Sequence, residues 1–182
     1  MQFTRENIEG LVIIEPRVFG DHRGYFYESY HRQKFLEEGL DLDFVQDNQS
    51  LSAKGILRGL HFQKPPHAQG KLVRVIRGSI YDVAVDVRKG SPTYGQWQGV
   101  ELSDKNHKMF WIPAGFAHGF YTLEDDTIVN YKCTDYYNPS AEDGLMWNDP
   151  ALAIEWPIDT APILSEKDSD YTPFSEYDSP FA

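Results

Sequence analysis

Short runs rich in Val, Ile, Tyr and Phe recur about every ten residues along the chain, a spacing that predicts an all-β sandwich or barrel. They fall at residues 11–14, 25–30, 57–62, 72–76, 80–87, 100–102, 109–112, 116–123 and 127–134, with Gly, Pro, Asp or Asn between most of them. Residues 71–77 and 80–88 flank Gly78-Ser79, and a two-residue loop opening on glycine predicts a hairpin with a type II′ turn. In its second strand Tyr81, Val83, Val85 and Val87 share one face while Asp82, Ala84 and Asp86 share the other, a period of two.

Helix is scarce, with one segment expected over residues 32–38, ended by Gly39, and a short one after Leu164. The connections are too short to carry a helix between parallel strands, which excludes an α/β sheet. No repeat, low-complexity tract or linker divides the chain. The expectation is a single domain over residues 1–182, a β barrel or jelly roll with an N-terminal strand segment and a small helical addition. The polar, acidic residues 165–182 either wrap that domain or fray.

Charge narrows the function. Against 28 Asp and Glu stand only 17 Lys and Arg, a net charge of -11, and no basic run exists to neutralise a nucleic-acid backbone. Phosphate contacts must then be local. The single cysteine, Cys133, forms no intramolecular disulfide and no all-cysteine zinc site, so a cytoplasmic protein is the simpler reading. No apolar run approaches the ~20 residues of a membrane helix, and the first nine residues are too polar for a signal peptide.

Dinucleotide, P-loop, hydrolase-elbow and zinc-protease motifs are absent: Gly70-Lys71, for example, runs into Leu72 rather than Ser or Thr. What remains is a set of polar residues inside apolar strands: Arg58, His61, Lys71, Asp82, His118 and Tyr131. Each must find a partner if buried. Each also has an ordinary reading: a satisfied core histidine for His61 or His118, a carboxylate partner for Arg58, a solvated strand end for Lys71, a barrel aromatic for Tyr131. A tight metal site would want a His-x-His pair, but Gln63 stands two residues past His61, so a metal-free site is favoured. A strict period of two sets Arg58 and His61 on opposite faces, so both reach one ligand only if the strand bulges or twists at Gly59.

Taken in order, several segments resemble the dTDP-4-dehydrorhamnose 3,5-epimerases, a cupin-fold family of nucleotide-sugar enzymes. They are Val18-Phe19-Gly20-Asp21 with Arg23-Gly24, Phe44-Val45-Gln46-Asp47-Asn48, Leu57-Arg58-Gly59-Leu60-His61-Phe62-Gln63 and Gln69-Gly70-Lys71-Leu72-Val73. Trp111-Ile112-Pro113, Gly115-Phe116-Ala117-His118-Gly119, Thr134-Asp135-Tyr136-Tyr137 and Trp147-Asn148-Asp149-Pro150 continue it. The resemblance implies a cupin-like jelly roll, a double-stranded β-helix barrel, that inverts C3 and C5 of dTDP-4-dehydro-6-deoxy-D-glucose without a cofactor on the way to L-rhamnose. It implies His61 as base, Asp168 as the carboxylate that orients it, with Asp82 a rival, Lys71 at the enolate and Tyr131 as acid. It implies ligand contacts from Arg23, Glu28, Gln46, Asp47, Asn48, Arg58, His118, Glu142 and Lys167, and a homodimer in which an N-terminal segment adds to the partner's sheet. An epimerase of one carbon only, a metal-dependent oxygenase and a non-catalytic sugar-binding barrel are the alternatives.

Overall fold

The alternation over residues 80–87 forms a strand whose two faces are both buried, and this recurs through the molecule. A computed structural model describes all of Met1–Ala182. The strands are β1 (Gln2–Arg5), β2 (Val12–Glu15), β3 (Phe19–Asp21), β4 (Gly24–Phe26), β5 (Gln46–Ser52), β6 (Leu57–Gln63) and β7 (Lys71–Arg77). They continue as β8 (Ser79–Asp86), β9 (Trp97–Ser103), β10 (Met109–Ile112), β11 (Phe116–Thr122), β12 (Thr127–Cys133) and β13 (Glu142–Gly144). One helix, α1 (Arg32–Glu37), and three short 3-10 turns complete the chain.

Two antiparallel sheets face each other, ordered β1-β2-β10-β7-β12-β5 and β13-β6-β11-β8-β9, and β3 and β4 form a separate ribbon. The architecture is the expected all-β jelly roll. Between the sheets lie Val73, Val75, Phe110, Ile112 and Val129 from one side and Ile80, Ala84, Val100, Leu102, Phe116 and Phe120 from the other. The outer faces are covered as well. Phe35 of α1, with Leu40 and Leu42, packs on Val12, Ile14, Leu72, Met109 and Trp111. The C-terminal tail wraps rather than frays: Trp156, Phe174, Tyr177 and Phe181 pack against Leu60, Phe62, Val83, Val85 and Val87. Burial on both faces accounts for the near-continuous apolar runs of β10 and β11.

The expected hairpin at Gly78-Ser79 does not form, because β7 and β8 belong to opposite sheets. Gly78 turns the chain from one sheet to the other at φ +78°, where a Cβ would stand 2.3 Å from Thr127 Oγ1. Its N–H donates to Asp104 Oδ2 at 2.9 Å, and its carbonyl accepts from the Asp104 N–H at 3.0 Å. The strand expected over residues 25–30 stops at Phe26, and the helical segment after Leu164 is only a 3-10 turn, Lys167–Ser169.

The bulge expected at Gly59 is present. His61 pairs with His118 and Arg58 with Phe120, so Gly59 and Leu60 together oppose Gly119 alone. The extra residue restores Arg58 to the face that carries His61. A Cβ at Gly59 would lie 2.5 Å from Gly119 Cα, with φ at +129°. Gly59→Ala is therefore expected to destabilise the fold by about 1–3 kcal/mol, read as a lower urea midpoint with an unchanged slope. An unchanged midpoint would mean that the two strands can separate here without cost.

Candidate active site

Facing walls of the barrel converge on a cleft. His61 from β6, Lys71 from β7, Tyr131 from β12 and Glu142 from β13 line two adjoining cavities of about 290 and 240 Å³. The first also takes Gln46, Asn48, Phe62, Gln63, Gln69 and Tyr137; the second takes Ser50, Arg58, His118, Phe120 and Lys167. His61 belongs to the five-stranded sheet and Tyr131 to the six-stranded one, so they approach the cleft from opposite sides.

His61 Nε2 hydrogen-bonds to Asp168 Oδ1, across 107 residues of sequence. Asp168 is buried, and its other oxygen accepts from Ser165 Oγ at 2.8 Å. Burial drives the His61 imidazole below its ordinary pKa, and the hydrogen bond and charge of Asp168 oppose this without reversing it. Burial pushes the Asp168 carboxyl up, but the bonds from His61 and Ser165 outweigh it and hold the group below the usual carboxylate range. The pair is thus a neutral imidazole donating Nε2–H to a carboxylate, with Nδ1 left as the basic nitrogen.

Lys71 makes no ion pair; burial lowers its pKa, against the fields of Cys133, Asp82 and Glu142. Burial raises the Tyr131 phenol, with Arg58 pulling the other way, so the hydroxyl keeps its proton. Arg58 finds no carboxylate, only Ser52 Oγ at 3.3 Å, which leaves its charge for an anion in the cavity. Lys167 Nζ and Tyr137 Oη both donate to Glu142, tying the tail turn and the loop after β12 across the mouth.

Of the residues expected at the site, Gln46, Asn48, Arg58, His61, Lys71, His118, Tyr131, Glu142 and Lys167 line the cleft, and Asp168 stands behind His61. Three do not reach it. Asp47 points outward between Gln46 and Asn48, pairing with Lys132 at 3.0 Å. Arg23 pairs with Asp21 on the β3–β4 ribbon with its side chain 79% exposed, and Glu28 pairs with Lys34. Asp82 bonds to His118, not to His61. Gln63, Gln69, Phe62 and Tyr137 were not anticipated; burial of Gln63 at the end of an apolar strand was the available signal. The two histidines engage separate carboxylates, and no group of three metal-ligating side chains forms. No helix is long and apolar enough to cross a membrane.

This arrangement has counterparts among known proteins. The archaeon Methanothermobacter thermautotrophicus has a dTDP-4-dehydrorhamnose 3,5-epimerase 54% identical to the chain, over 96% of the chain and 95% of the relative. Among solved structures, the dTDP-6-deoxy-D-glucose-3,5-epimerase of Legionella pneumophila, in complex with dTDP-4-keto-L-rhamnose, superposes with a TM-score of 0.95 at 49% identity. That match covers 100% of this chain and 98% of the other. A 3'-monoepimerase from Streptomyces bikiniensis in complex with dTDP-quinovose is more distant, with a TM-score of 0.88 at 35% identity over 93% and 86% of the two chains. The profile of the dTDP-4-dehydrorhamnose 3,5-epimerases matches residues 5–176. With that match taking in every residue that lines the cleft, the chain belongs to the dTDP-4-dehydrorhamnose 3,5-epimerase family, built as a cupin-like jelly roll.

Proposed function

We propose that the chain inverts C3 and C5 of dTDP-4-dehydro-6-deoxy-D-glucose to give dTDP-4-dehydro-L-rhamnose, with no cofactor. The observation that carries this reading is the placement of an imidazole base and a protonated phenol on opposing walls of one cleft. Both carbons flank the C4 ketone, so either C–H proton can pass to His61 Nδ1 while its electron pair moves onto the carbonyl oxygen. Lys71 stabilises that oxygen as the enolate forms. Asp168 stabilises the imidazolium. Tyr131 then protonates the same carbon from the other face, the enolate returns to the ketone, and the configuration is inverted. Arg58 and Lys167 suit the diphosphate, and His118, Glu142, Gln46 and Asn48 the remaining polar groups.

The test is incubation of substrate with the enzyme in heavy water. Deuterium at both carbons of an L-configured product is expected. The fold is shared with a monoepimerase, which favours inversion of one carbon as the second reading. Label at one carbon would establish that reading instead, and no label in bound substrate would overturn both.

The pH dependence follows from the shifted groups of the site. His61 must be neutral to act, and its pKa lies below the ordinary 6.5; Tyr131 must be protonated, and its pKa lies above the ordinary 10.0. Lys71 must keep its charge, and burial lowers its pKa below the ordinary 10.5, so the kcat/KM profile is expected to have its acid limb below pH 6.5 and its alkaline limb set by Lys71 rather than by Tyr131. Asp168→Asn leaves burial unopposed, so the acid limb should move further down while kcat falls. A limb moving upward in that variant would contradict the assignment.

The functional unit is proposed to be a homodimer of single-domain chains acting in the cytoplasm. Phe19, Tyr25 and Phe26 stand 50%, 60% and 67% exposed around a groove on a two-stranded ribbon, and such a ribbon needs further packing to be stable. Arg23 and Glu28 lie on or beside it, off their own chain's cleft, so they reach a ligand only from a second copy. Sedimentation is expected to give a dimer of the 21.0 kDa chain, with Phe26→Ser yielding monomer; a wild-type monomer would remove this reading.

A further inference from the structure

Asp82 has no part in the chemistry above, yet it is fully buried on β8. Its neighbours on the same face, Ile80 and Ala84, belong to the apolar core between the sheets. One oxygen, Oδ1, lies 2.8 Å from His118 Nε2; the other, Oδ2, is buried and meets no donor of the chain. A carboxylate with an unmatched oxygen in such surroundings weakens a fold relative to an apolar residue of similar size. The sheet does not require it, since its cross-strand partners are Phe120 and Val100. Its one hydrogen bond to the cleft is with His118, which stands directly across from His61 in the register of β6 and β11, while its charge also bears on Lys71.

Few acceptors face this cavity besides the Ser50 hydroxyl, and His118 can add one. Arg58, Lys71 and Lys167 only donate hydrogen bonds. The two Glu142 oxygens already receive bonds from Tyr137 and Lys167. A ketosugar carries hydroxyls whose protons need acceptors, and an imidazole nitrogen without a proton is one.

We propose that Asp82 is a positioning residue for the epimerisation: it accepts the Nε2–H of His118, fixing the ring's orientation and tautomer so that Nδ1 accepts from a sugar hydroxyl. This rests on the ketosugar reading of the cleft. The barrel then holds two His–Asp pairs with different tasks. Asp168 serves the histidine that moves protons, and Asp82 serves the histidine that holds the sugar while they move.

Two full-length variants and a spectrum test this. Asp82→Leu removes the unmatched oxygen but leaves the buried His118 Nε2–H without its acceptor, so the variant is expected to stay folded with a melting temperature at or modestly below the wild-type one. Its kcat should nevertheless fall by about 10²-fold through misplacement of the sugar, with affinity for dTDP alone unchanged. Asp82→Asn can turn its amide N–H toward His118, and 15N imidazole NMR should then report the proton moved from Nε2 to Nδ1. Wild-type activity in Asp82→Leu, a wild-type His118 protonated on Nδ1, or activity lost only in proportion to a lowered melting temperature in both variants would each overturn the proposal. A wild-type protein that exchanges no deuterium into the ketosugar would instead sink the functional reading, while the tautomer of His118 would still be read directly.

Discussion

His61→Ala is expected to lower kcat by about 10²- to 10⁴-fold, the range ascribed to a general base, and to stop deuterium from entering both C3 and C5. The size of the effect follows from the surroundings of the ring. Lys71 donates only, Tyr131 is held in its protonated form, both oxygens of Glu142 are engaged by Tyr137 and Lys167, and Asp168 lies behind His61 rather than in the cavity wall, so no second free base stands at that position. His118 is on the next strand, but with its Nε2 bonded to Asp82 its remaining lone pair, on Nδ1, is the one assigned above to a sugar hydroxyl. Binding should persist, because Arg58 and Lys167 remain in place. The measurement is isotope exchange beside a dTDP titration. Exchange at either carbon in the variant would show that a second base serves it, and lost dTDP affinity would reassign His61 to binding.

Tyr131→Phe should fail in a different way. The enolate still forms against His61 and Lys71, but the opposite wall no longer offers a proton. Net inversion is expected to drop by about 10²- to 10⁴-fold, while substrate recovered from heavy water still gains label with its configuration retained. The substitution removes one oxygen from a half-buried ring that packs against the apolar core, so the fold should tolerate it. If exchange and inversion fell together, Tyr131 would be acting before the enolate forms, and its role as acid would be lost.

The elements most legible in the sequence were those buried on both faces, β8, β10 and β11, where apolar runs leave little choice. The crossing at Gly78 reads as a hairpin because a hairpin and a jump between sheets share the same local chemistry; what separates them is the partner each strand finds far away. β5 was missed as a strand for a different reason. Its inward residues are Gln46, Asn48 and Ser50, polar because they line the cleft, so a search for alternating apolar residues passes over it. The same alternation, once β5 is known, turns Asp47 outward. Within the site, His61, Lys71, His118 and Tyr131 stood out as polar residues in apolar strands. Asp168, Glu142 and Lys167 did not, since they lie in a three-residue turn or, for Glu142, a three-residue strand too short to show a pattern; family resemblance supplied them, and it also supplied Arg23 and Glu28, which a single chain leaves outside.

The tail has a temporal meaning as well as a spatial one. The carboxylate behind the base is residue 168, held by a turn that packs back onto β6 after every long strand has been made. A chain emerging from the ribosome therefore presents every strand of both sheets before Lys167 closes the cleft wall and while His61 still has no counter-charge. The cation that faces the diphosphate and the carboxylate behind the base thus arrive together, on one turn, at the end of synthesis, and proteolytic clipping before Ser165 would remove both at once.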